Sequence, residues 1–202
     1  MTEDGVELEL RDRLKLIESM IAEGRRTTES WGWTFVFWGL AYYVAIAWTA
    51  LTHYPWAWLI TMTSATMLMW VVIGIKSKGR PEKRPGTTMS RAIFSIWMIA
   101  GISMSFLLVA LGFSGRFSPQ LFVAVLGATF GTTNGTSGVL LRWRAQFACA
   151  VVWWAASVTA CFAGDNQSTV ILAVAIFFCQ IVFGGYAMIV EGRARRQGAI
   201  HA

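Results

Sequence analysis

From Ser30 to Ile75 the chain carries no Asp, Glu, Lys or Arg. Four more uncharged runs follow, at Ala92 to Gly115, Phe117 to Leu141, Ala145 to Gly164 and Asn166 to Val190. A helix needs about 20 residues, at about 1.5 Å each, to cross a hydrocarbon core of about 30 Å. The first run is long enough for two crossings, with Thr52, His53, Tyr54 and Pro55 as the turn, and each later run suits one. The pattern predicts an all-α, polytopic integral membrane protein with six transmembrane helices. They fall over about 34–51, 56–75, 92–112, 120–141, 146–163 and 168–190. None of the runs alternates polar with apolar residues in the segments of about ten that a membrane β-barrel uses.

The segment before the first span has a different rhythm. Leu10, Leu14, Ile17 and Ile21 recur with 4-3-4 spacing, which puts one apolar stripe on a helix. Glu7 with Arg11, and Glu9 with Arg13, are i,i+4 pairs in the favourable order. Acidic residues gather at the start and Arg25 and Arg26 near the end, matching the helix dipole. Residues 1–30 therefore read as a cytoplasmic amphipathic helix, 31–192 as the six-helix domain and 193–202 as a short basic tail. The stripe either rests on the membrane or on the protein's own inner face, or docks a partner or a second copy.

Composition sharpens the class. Of 202 residues, 55% are hydrophobic and 14% charged, against about 25% charged in a soluble domain. Mean hydropathy is +0.53. A disordered chain and an ordinary soluble domain are both excluded on this ground. The net charge is +6, and its placement points to lipid rather than nucleic acid. With six spans, 16 of the 17 basic residues share one side and Arg116 alone lies on the other. The positive-inside rule then puts both termini in the cytoplasm. Lys76, Lys78, Arg80, Lys83 and Arg84 form a basic stretch suited to anionic lipid headgroups. Most of the 11 Trp fall at the predicted interfaces, Trp31 and Trp33 on the inner side, Trp48, Trp56 and Trp58 on the outer. The acidic opening does not resemble a secretory leader, and the short outer loops suggest the cytoplasmic (inner) membrane of a bacterium.

Chemistry is sparse. No predicted span holds an ionisable Asp, Glu, Lys or Arg, which argues against a proton relay or a voltage sensor. The two His and three Cys form no metal-ligand spacing, and no cofactor is implied. What remains is neutral and small. Gly127, Gly131, Gly135 and Gly138 make a close-approach seam on the fourth span, Gly101 and Ser105 a sparser one on the third, and Gly184 one on the sixth. Thr132, Thr133, Asn134 and Gln180 either lock helices together or line a neutral polar pathway.

Gly135-Thr136-Ser137-Gly138 spells GxSG, which is similar to the serine motif of rhomboid intramembrane proteases. That resemblance implies a histidine in the sixth span to take the serine proton. The sixth span has none, so an enzyme is not expected. The reading that remains is a non-enzymatic accessory, scaffold or sensor subunit acting through its N-terminal helix and basic inner face. A channel or carrier for a small neutral or weakly polar solute, lined by spans four and six, is the alternative.

Overall fold

The computed structural model describes residues 3–52, 54, 56–78, 88–115 and 118–200. They form seven helices. These are α1 (Glu3–Glu29), α2 (Gly32–Thr52), α3 (Ala57–Lys78), α4 (Thr88–Ser114), α5 (Pro119–Leu140), α6 (Arg144–Ala160) and α7. The last is α-helical over Asp165–Ile176, widens to a π-helix over Phe177–Val182 and resumes over Phe183–Ile200. No strand occurs among the described residues.

Local chemistry sets the helix ends. Ser118 caps α5 by accepting from Leu121 N at 3.2 Å, and Pro119 fills the first turn, where its missing N–H costs nothing. The other end of α5 closes in a Schellman turn. Arg142 N donates to Val139 O at 3.2 Å and Trp143 N to Gly138 O at 2.8 Å. Arg142 has φ 48°, the left-handed position that glycine usually takes. The result is a very short connection, so α6 starts at once and folds back along α5. At the start of α7 the Gln167 side chain accepts from Gly164 N at 3.0 Å.

α5 and α6 make the most extensive helix–helix contact in the protein, and they run antiparallel. α2 packs on α3 and, antiparallel, on the second half of α7. Tyr43 on α2 donates to Ala173 O of α7 at 2.8 Å. The core lies among α2, α5, α6 and α7. It is built from Phe35, Tyr42, Phe122, Leu126, Trp153, Ile176 and Phe183, with Trp153 and Ile176 fully buried.

Four helices are long and apolar enough to cross a membrane: α2, α3 over Ala57–Lys76, α4, and α7 over Asp165–Arg193. α6 has 17 residues, and α5 interrupts its apolar pattern with Gly, Thr, Asn and Ser. The outward surfaces are nevertheless apolar on every helix from α2 to α7. Leu40, Met67, Phe106, Val139, Val158 and Val170 all stand exposed. Such a continuous apolar exterior suits lipid as its solvent. Interlocking ends show which residues share a level. Lys76 Nζ sits 3.8 Å from the ring centre of Trp33, and the Arg25 guanidinium carbon 5.4 Å from that of Trp143. These contacts, with Arg91, Arg142, Arg144 and Arg193 at neighbouring helix ends, define a basic end. At the opposite end Trp48 stacks on Tyr54, and Trp56 meets Phe113.

Every described side chain from Glu7 to Ser19 on α1 is exposed. Among the described residues the helix packs on the rest of the protein near its C-terminal end, against α4, α7 and the α5–α6 turn. There Thr28 and Glu29 are buried, and Gly24 lies against Met89 and Leu141. The helix therefore projects from the basic end. It holds eight of the chain's 11 acids and five of its 17 bases.

Candidate functional site

The glycines of α5 are a seam, and α6 fills it. A Cβ on Gly127 would lie 2.7 Å from Trp153 O, and one on Gly138 would lie 2.7 Å from Phe147 N. Trp154 lays its indole across Gly131 and Gly135. Ser157 donates to Ala124 O at 2.6 Å and ties the same pair of helices. Gly184 forms a second seam, on α2 rather than on α5. A Cβ there would meet Gly32 O at 2.8 Å, and Gly39 is pressed as closely against Gln180. Gly101 and Ser105 differ from these seams. Both are exposed, and nothing beyond its own helix lies within 4 Å of a Cβ built on Gly101. The face of α4 that carries them has no helix of this chain against it among the described residues.

The four neutral polar residues divide. Thr132 is exposed on the outer side of α5, donating to Ala128 O at 2.9 Å. Thr133 is buried and donates to Thr129 O at 2.8 Å within its own helix. Asn134 and Gln180 point inward, 1% and 3% exposed. Asn134 Nδ2 donates to Phe130 O at 2.9 Å. Asn134 Oδ1 and Gln180 Oε1 are buried with no hydrogen-bond partner among the described residues. Seven further residues share this condition, among them Ser137 through Oγ, Gln146 through both amide atoms, and Trp143 and Trp153 through Nε1.

Helical register places Asn134, Ser137, Gln146 and Gln180 in one storey. Gly135 lies beside Ala150, Gly138 beside Phe147, and Cys179 Sγ is 3.5 Å from Cys149 O. Aromatic contacts close the storey on both sides. Phe130 meets Trp153 at 5.2 Å toward the outer end, and Phe183 meets Trp143 at 5.0 Å and Phe35 at 5.2 Å toward the basic end. Gln180 also belongs to the π-helical turn, a departure from α-helix that often accompanies function. The sequence signal for Gln146 was available, since it is one of few amides inside an uncharged run. It stands at the first position of the predicted fifth span, where its burial could not be read from the pattern.

The other candidate surface is α1. Leu10, Leu14 and Ile17 are 55%, 59% and 51% exposed, and Ile21 is half-buried. The expected pairs close, Arg11 with Glu7 at 2.7 Å and Arg13 with Glu9. Near the base, Glu18, Ile21, Ala22 and Arg25 face Leu141 and Arg142 across an open groove. Arg25 Nε reaches Glu29 Oε1 at 3.1 Å. Of the basic stretch after α3, Lys76 is engaged with Trp33 and Lys78 ends the helix. Arg80, Lys83 and Arg84 lie outside the described residues. No group of three or more His, Cys, Asp or Glu that could hold a metal occurs among the described residues.

No family model, curated protein or solved structure matches the chain.

Proposed function

We propose that the chain crosses a membrane six times with both termini in the cytoplasm, and that it works as a non-enzymatic accessory, scaffold or sensor subunit through α1 and its basic end. The observation that carries this reading is the exposed Leu10–Leu14–Ile17 stripe on a helix whose buried residues, among those described, lie near its base. The described side chains from Glu7 to Ser19 are all exposed, so they bury little against the bundle of their own chain. The exposed apolar side chains of α5 and α6, such as Val139 and Val158, support their placement in lipid with the other four. Clustered Arg and Lys at the end from which α1 emerges support a cytoplasmic position beside anionic headgroups, as in a bacterial inner membrane.

The test is a full-length variant with Leu10, Leu14 and Ile17 changed to Ser, purified in mild detergent beside the wild type. The proposal expects assembly, with another protein or with itself, to be lost while the melting profile of the bundle is kept. Assembly unchanged by the triple substitution would overturn it.

A second reading rests on the buried storey. Unpartnered amides on α5, α6 and the π-turn favour a carrier for a small neutral solute. Proteoliposome flux of such a solute, abolished by Asn134→Leu or Gln180→Leu, would support it.

A further inference from the structure

We propose that the occupant of the α1 stripe is the α1 of a second copy of this chain, in a parallel two-helix coiled coil standing on the basic end. The inference rests on the reading of α1 as the working surface, and names its partner.

Three observations converge. The spacing is that of a heptad seam. Leu10 and Ile17 take one core position, Leu14 and Ile21 the other, and the same register reaches Gly24 and Thr28. Those last two are buried against the bundle. The seam thus passes without a break from a part that needs an outside partner to a part that has an internal one.

The flanking charges fit a parallel copy. In this register Arg13 falls at the position that faces residue 18 of the other helix, five residues on, and residue 18 is Glu. Two-fold symmetry makes this pair twice. Glu18 has no ion pair within its own chain among the described residues, and it lies exposed beside the seam. Parallel orientation is what two copies inserted the same way in one membrane would present.

Charge also argues against lipid as the occupant. Eight acids to five bases make α1 a net acidic helix, which an anionic inner surface repels. The rest of the chain carries the opposite excess, so the acidity belongs to this helix and not to the protein at large.

The experiment uses the full chain in proteoliposomes, in a Cys161→Ala background that leaves only the two buried cysteines. Leu14→Cys and Ile17→Cys are oxidised in turn, with Lys15→Cys on the outer side of the helix as control. The expected result is a disulfide-linked dimer from the first two and not from the control. Arg13→Glu alone, or Glu18→Arg alone, turns two attractions into repulsions and lowers dimer formation about tenfold. The two together restore it. Equal cross-linking at Lys15→Cys, or a charge swap without recovery, overturns the proposal. If the purified chain stays monomeric but Leu14→Cys traps a heavier adduct in native membranes, self-pairing is overturned and α1 as a docking surface stands. If neither a dimer nor an adduct forms, both readings fall.

Discussion

The indole of Trp154 on α6 covers Gly131 on α5 so closely that any side chain at 131 would occupy the ring's place. One contact thereby accounts for a glycine and for a tryptophan set away from either interface. It also packs α6 against α5, beside the closer backbone approaches at Gly127 and Gly138.

Gly131→Leu should therefore cost about 1–3 kcal/mol, since the bulky ring would have to leave its place. Gly101→Leu, with open space around it, should stay within about 0.5 kcal/mol. Thermal unfolding of the two variants in one detergent checks the contrast. Equal melting points would mean that the α5–α6 seam is not what joins these helices.

Much of this architecture is legible in the chain, and its gaps have physical causes. Uncharged runs mark helices because a spanning backbone must bond within itself, and each of the six expected spans overlaps a helix. The ends drift by several residues. Lys76 and Arg193 illustrate the cause, since they continue helices past the last apolar position. A small-residue stripe shows that a close approach is possible but not what approaches. Gly131 and Gly101 look alike in sequence, yet one meets an indole and the other nothing. The π-turn around Gln180 left no readable mark, because its residues are as apolar as those of any span. Gln146 shows the same limit from the polar side. Its burial is decided by α6 folding straight back at Arg142, a tertiary event.

Arg142 gives a second prediction. Its φ of 48° disfavours a side chain, and most of all a β-branched one. Arg142→Gly should raise stability by about 0.5–1 kcal/mol and Arg142→Val should lower it by about 1 kcal/mol. Paired melting curves are sufficient, and the opposite order would contradict the Schellman closure of α5.

Gln146 yields a third. It is fully buried, with neither amide atom hydrogen-bonded to the described protein. Replacing such a group with an apolar one of similar shape is neutral or stabilising. Gln146→Met should melt at or above the wild-type temperature. A loss of more than about 2 kcal/mol would show that the amide is tied into a network that holds the bundle together.

Glu29 provides a fourth, at the base of α1. It is buried beside Arg25, which also lies over Trp143. Arg25→Met leaves that carboxylate without its cation and should cost about 1–3 kcal/mol, loosening α1 from the bundle. Limited proteolysis near Ser30 should become faster. Unchanged cleavage would mean that α1 is anchored by other contacts.

The central claim is that α5 and α6 cross the membrane, and the side on which Arg144 lies tests it most directly. Ser118→Cys, Arg144→Cys and Asp165→Cys, each in the Cys161→Ala background, would be exposed to an impermeant thiol reagent in oriented vesicles. Six crossings predict Ser118 and Asp165 labelled from one side and Arg144 only from the other. Labelling of all three from the same side would make α5 and α6 a hairpin that does not traverse the bilayer, and would contradict the account.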